Sequence, residues 1–286
     1  MSEREHIKRL LKRHRLPLNK RFGQHILVDL DLLSETAGTL CPGPDSAVVE
    51  IGAGVGNLTT MLALSGAHVT AIEIDERFRP LHEGEILNRR ETAGRIEFVY
   101  CDALDFDYAE AARRAQQDGR RFLIAGNIPY QITSPLIMRI LESGAAFEAM
   151  ALMMQREVAE RLAAAPGSKR NGAISIKVQS WCEIESLFAV PRTAFLPPPE
   201  VESNLLRFRL KDAMIDPALR ALLFRLVDAA FSQRRKTMPN AVAAASIAGW
   251  TKDAVGQALR AIDHRPATRA EELGLSEFLK LLGALP

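Results

Sequence analysis

The chain is 286 residues long, 47% hydrophobic and 25% charged, ordinary values for a soluble globular protein with a substantial core and room for a small second domain. No apolar run is long enough to span a bilayer, Met1-Ser2-Glu3-Arg4-Glu5-His6 lacks the apolar segment of a secretory signal, and Cys41, Cys101 and Cys182 form no Cys-x-x-Cys pair, so reduced thiols in a cytoplasmic protein are expected, without disulfides or zinc. Net charge is only +2, yet residues 1–21 hold eight Lys/Arg against two Asp/Glu, residues 213–286 ten against seven, and residues 22–212 nineteen against twenty-six. An acidic body with basic ends fits a protein that meets a polyanion through its ends.

In chain order, Glu5 to Arg15 places Ile7, Leu10 and Leu11 among basic residues, a short basic amphipathic helix of a kind shared with membrane-surface and targeting segments. The basic loop Lys20 to Leu27 leads to a helix starting near Asp29 or Asp31. From Ala47 the pattern alternates strand and helix. Ala47–Ile51 reads as a buried strand, Gly52-Ala53-Gly54-Val55-Gly56 as a glycine-rich turn, and Asn57–Leu62 as a helix start with Asn57 as cap. His68–Asp75, Ile96–Ala103, Phe122–Gly126 and Met150–Met154 read as further strands, and Gln155–Ala164 as a helix. Such alternation predicts a doubly wound, mostly parallel α/β sheet. Ile184–Val190 and Ser203–Leu210 would close it with an antiparallel hairpin, and Phe195-Leu196-Pro197-Pro198-Pro199 between them is polyproline-like. After Asp212 the signals are helical throughout: Pro217–Phe231, Thr251–Ile262 and Ser276–Leu282. The expected organisation is an arm and covering loop over 1–28, an α/β domain over 29–211 and a small all-α domain over 212–286.

A glycine-rich turn after a first strand points to a nucleotide-like ligand. Position 57 is Asn, so the pattern is Glu-x-Gly-x-Gly-x-Gly rather than the dinucleotide Gly-x-Gly-x-x-Gly, and no nucleoside-triphosphate loop is present. Glu73 ends the next strand, where it can accept hydrogen bonds from both ribose hydroxyls of an adenosyl ligand. Asp102 ends the third, where it can accept an adenine amine. Asn127-Ile128-Pro129-Tyr130 ends the fourth, a turn stiffened by Pro129. There an amide, a backbone carbonyl and an aromatic ring can hold a planar amine, although a strand-ending corner with a core tyrosine reads the same residues. Four successive strand ends converging on one crevice give the stronger signal.

This constellation resembles class I S-adenosylmethionine-dependent methyltransferases, a Rossmann-like fold, and Asn127-Ile128-Pro129-Tyr130 resembles their amino-methylating branch. With Arg21-Phe22-Gly23-Gln24-His25-Ile26-Leu27, Gln155-Arg156-Glu157-Val158, Phe195-Leu196-Pro197-Pro198-Pro199, Gln233-Arg234-Arg235-Lys236-Thr237 and Arg269-Ala270-Glu271-Glu272-Leu273 in order, the chain is similar to the bacterial small-subunit ribosomal RNA adenine N6-dimethyltransferases. The resemblance implies S-adenosyl-L-methionine as cofactor, held by His25, Leu27, Gly52, Glu73, Asp102 and Asn127. It implies that Asn127 and the Pro129 backbone hold the target amine, with Tyr130 stacking on one face of the base and Phe195 on the other. The expected partner is small-subunit ribosomal RNA in an assembling subunit, contacted by Arg234, Arg235 and Lys236 and by the N-terminal cations, and the expected state is a cytoplasmic monomer. No metal or covalent nucleophile is required. Three departures stand out: Glu200 where Lys is usual, Met238-Pro239 where a helix usually continues, and His25 where Asn is common. Two alternatives share the fold: a large-subunit ribosomal RNA methyltransferase of the macrolide-resistance type, and a non-catalytic RNA-binding or transcription factor.

Overall fold

The computed structural model describes residues 2–18, 23–233 and 235–286. Arg21, Phe22 and Arg234 therefore lie outside the described residues. The chain forms two compact units, Met1–Ala159 with Ile184–Leu210, and Glu160–Glu183 with Lys211–Pro286.

The first unit opens with α1 (Glu3–Arg13), whose Ile7, Leu10 and Leu11 face inward at helical spacing and pack with Val55, Phe78 and Leu81. The short β1 (Ile26–Leu27) precedes α2 (Leu30–Gly38), where the Asp29 carboxylate accepts from the Leu32 N–H and caps the helix. Then follow β2 (Ser46–Ile51), α3 (Asn57–Leu64) and β3 (His68–Glu73). A short irregular helix comes next, containing α4 (Arg79–Leu81) and a π turn over His82–Ile86. The remaining elements are β4 (Ile96–Tyr100), α5 (Tyr108–Gln117), β5 (Arg121–Asn127), α6 (Thr133–Glu142), β6 (Ala149–Gln155), α7 (Arg156–Leu162), β7 (Cys182–Val190), β8 (Phe195–Leu196) and β9 (Ser203–Leu210). The strands of the main sheet lie within three residues of the spans predicted from their apolar runs.

The main sheet has the order β4-β3-β2-β5-β6-β9-β7. β2 to β6 pair in parallel, and β9 runs antiparallel to β6. The order reverses between β2 and β5, the place where an α/β sheet opens a crevice at its carboxyl edge. Register there is tight: Ile51 lies between Ile72 and Gly126. A Cβ on Gly126 would sit 2.7 Å from the Ile51 carbonyl oxygen, so only glycine allows that approach. A second, two-residue ladder pairs Leu27 with Phe195 and Ile26 with Leu196.

The second unit comprises α8 (Ala173–Gln179), α9 (Pro217–Phe231), α10 (Met238–Ala244), α11 (Lys252–Ala261) and α12 (Leu275–Ala284). Ile176, Leu223, Leu226, Val242, Leu259 and Phe278 form its core. In place of a single boundary at 212, this unit is assembled from two chain segments. Pro239 occupies the first turn of α10, where its missing N–H costs nothing, so it restarts the helix. Among the described residues no helix is long and apolar enough to cross a membrane.

Candidate active site

A cleft of about 1080 Å³, counting the space open to solvent at its mouth, lies at the carboxyl edge of β2, β3 and β5. His25, Leu27, Gly52, Glu73, Asp102, Asn127, Pro129 and Tyr130 all line it. Gly52, Gly54 and Gly56 adopt φ of +79°, +56° and +79°, a left-handed path that side-chain-bearing residues avoid. Gly56, not Asn57, is the cap of α3, and no side chain caps that end. Asn57 instead donates from Nδ2 to the Leu27 carbonyl and accepts from the Leu58 N–H. Its amide thus fastens the loop before α2 to the glycine turn.

Glu73 is buried, and both its oxygens accept backbone N–H groups: Oε2 from Gly54 at 2.7 Å and Oε1 from Asp75 at 2.9 Å. Burial raises its pKa, against the pull of these donors. Each oxygen keeps a further lone pair for a hydroxyl. Asp75 is held ionised by the Arg77 guanidinium and accepts from Gln24 Nε2 at 2.9 Å. Asp102 Oδ1 caps the turn at Leu104 N–H, 2.9 Å away. Glu50, one strand over, is only 1% exposed, and its Oε2 has no hydrogen-bond partner among the described residues. Burial pushes its pKa up to about 8.

At the end of β5, Asn127 Nδ2 donates to the His25 carbonyl at 2.8 Å. A carbonyl can only accept, so this bond fixes the amide with Oδ1 as the remaining acceptor. The Pro129 carbonyl is already committed, accepting from the Ile132 N–H at 3.1 Å and Thr133 Oγ1 at 3.3 Å. The carbonyl of Ile128, one residue earlier, receives no hydrogen bond among the described residues. The Tyr130 ring is half-buried, with its hydroxyl 3.1 Å from Ser203 Oγ, and burial raises its pKa. The His25 ring lies nearly parallel to it, with centroids 5.9 Å apart, and its Nδ1–H donates to the Pro197 carbonyl at 2.8 Å.

Phe195 is not at the cleft. It is 0% exposed and packs in the core with Leu27, Leu33 and Leu205, because its strand pairing turns it under β1. The expectation that it covers one face of a base is therefore corrected: in this structure the ring beside Tyr130 belongs to His25. Arg235 and Lys236 are exposed on the turn between α9 and α10.

A family model for ribosomal RNA adenine dimethylase matches residues 15–261. The chain belongs to that family. Dimethylase relatives named "Ribosomal RNA small subunit methyltransferase A" are similar along nearly the whole chain. The one from Pelotomaculum thermopropionicum is 36% identical, over 96% of this chain and 94% of its own. The one from Streptococcus thermophilus is 34% identical, over 97% and 95%. Among solved structures, a dimethyladenosine transferase from Plasmodium falciparum has a TM-score of 0.69 at 26% identity, covering 90% of this chain and 95% of that one. The 23S rRNA methyltransferase ErmE also has a TM-score of 0.69, at 24% identity over 91% and 99%, a likeness of fold alone.

Two buried groups at or behind this dimethylase-family cleft carried no expectation: Glu50 lines it, and His82 bonds the glycine turn without lining it. Glu50 had a signal, since it opens the glycine pattern. His82 had none: an isolated histidine in a helical stretch looks like any core or surface residue until its partners are known.

Proposed function

We propose that this protein uses S-adenosyl-L-methionine to dimethylate N6 of adenines in small-subunit ribosomal RNA, acting as a cytoplasmic monomer on an assembling subunit. The observation that carries this reading is the Asn127 amide, held with Oδ1 as the open acceptor at the strand end next to Tyr130. The same cleft suits the cofactor: a left-handed glycine turn permits close backbone approach, and two carboxylates stand at the neighbouring strand ends. Glu73 would take the ribose hydroxyls, Asp102 the adenine amine, and the His25–Leu27 loop the methionine end. That cofactor supplies an intrinsically activated methyl group.

The protein's share of the chemistry is positioning and polarisation. The lone pair of an adenine amine is delocalised into the ring, so the amine is a poor nucleophile. In the first transfer Asn127 Oδ1 and the Ile128 carbonyl each accept one N6 proton, favouring a tetrahedral nitrogen whose lone pair is released; in the second the one remaining N6 proton keeps one of these bonds. Tyr130 stacks on the base, which must leave its helix to reach the cleft. Arg235, Lys236 and the exposed cations of α1 serve the phosphates, together with Arg234.

Mass spectrometry of ribosomal RNA from cells with and without the protein tests this. Dimethyladenosine in the small-subunit RNA should vanish in its absence and return with the parent sequence. It should not return with Asn127→Ala, for which a loss of about 10²–10³ in rate is expected. Unchanged dimethyladenosine in the deleted cells would overturn the reading.

A further inference from the structure

Gly54, at the centre of the glycine turn, has both backbone polar groups held by buried side chains. Its N–H donates to Glu73 Oε2 at 2.7 Å, and its carbonyl lies 2.8 Å from His82 Nε2. His82 Nδ1 is in turn 2.8 Å from the Tyr100 hydroxyl. The imidazole is 0% exposed and stacks on Phe98 with centroids 3.8 Å apart and planes within 7°. Because a carbonyl can only accept, the Nε2 atom carries the proton. The neutral ring then offers Nδ1 as acceptor to the tyrosine O–H. Burial brings the imidazole pKa down to about 4, so the ring stays neutral at physiological pH.

We infer that His82 is a positioning residue for the cofactor site, fixing the left-handed Gly54 peptide that Glu73 holds from the other side. The bonds form one chain from Tyr100 through His82, Gly54, Glu73 and Asp75 to Gln24 of the covering loop. A Cβ on Gly54 would meet nothing within 4 Å, so the open side of this residue is where a ligand can approach. A histidine serving only as core filler would need neither bond: leucine fills comparable space between Phe78 and Phe98 without polar atoms to satisfy. The geometry instead uses both nitrogens, one on the glycine turn that lines the cleft and one on Tyr100 at the end of β4.

The inference rests on reading the cleft as the S-adenosylmethionine site, and S-adenosylhomocysteine is the probe. Calorimetry would give its affinity for the parent protein, His82→Leu, His82→Gln and Tyr100→Phe, alongside thermal unfolding of each. His82→Leu should stay folded and bind about tenfold more weakly. His82→Gln, whose side-chain amide can donate to Gly54 and accept from Tyr100, should recover most of that loss. Nitrogen NMR of the parent should find the Nε2–H tautomer, and Tyr100→Phe should weaken binding less than His82→Leu. A folded His82→Leu that binds like the parent overturns the inference, as does an Nδ1–H tautomer. Should His82→Leu not fold, the Nδ1–H tautomer, or binding by Tyr100→Phe equal to the parent's, does the same. Failure of the parent itself to bind would count against the cofactor reading, leaving the tautomer to decide the His82–Gly54 bond.

Discussion

Glu50, next to last in β2, and Glu73, last in β3, line one cleft, but only Glu73 has both oxygens met by donors. The difference has a pH signature. An unfolded chain ionises Glu50 near its ordinary value of 4.5, whereas the folded protein holds the proton until about pH 8. The folded state binds the extra proton, so its stability contribution is full below 4.5 and erodes as pH rises towards 8. Glu50→Gln removes this dependence. Its melting temperature should exceed the parent's by more at pH 8 than at pH 5, and an equal difference at both would show that Glu50 is not buried as an acid. Phe195 offers a second contrast. As a core residue, replaced by leucine it should cost about 1–2 kcal/mol in chemical unfolding while methyl transfer continues near the parent rate. As a stacking face it would cost activity instead.

At the scale of elements, α1 is held by one apolar face against Val55, Phe78 and Leu81. A helix of eleven residues is marginal by itself, and a carboxylate in that face costs more than its docking returns. Leu10→Asp should therefore strip hydrogen-exchange protection from α1 while β2, β3 and β5 keep theirs. The sequence made α1 and the sheet strands readable because apolar residues at period 3.6, or in short continuous runs, mark them locally. It did not reveal α8, seven residues following a polar loop, or the β1–β8 ladder, whose two-residue strands carry no periodicity and whose partners lie some 170 positions apart. Phe195 was expected at the cleft from the resemblance, and that ladder is what holds it in the core instead. The strand-end residues were legible because their positions follow from strands that are themselves legible. The hydrogen bond that orients Asn127 depends on a loop 102 positions away folding back and left no mark in the local pattern, whereas the Pro129 carbonyl is occupied by the turn that starts the next helix.

At the scale of the molecule, charge should govern affinity for a polyanion. Arg235 and Lys236 are both exposed. Replacing the pair with alanine should flatten the slope of log affinity against log salt by about 1.4–1.8 if each meets one phosphate. An unchanged slope in a binding titration would place the RNA path elsewhere. The partition of the chain has a different consequence. The second unit draws on 160–183 as well as 211–286, and Ile176 of α8 lies in the same core as Leu223, Leu226 and Phe278. A fragment ending at Leu210 keeps α8 but loses that core, leaving an apolar helix face of the kind that drives aggregation. Exchanging this unit between relatives is thus a three-junction graft rather than a tail swap, and Ile184–Leu210, with most of β7 and all of β8 and β9, is the cargo that must remain between the cuts.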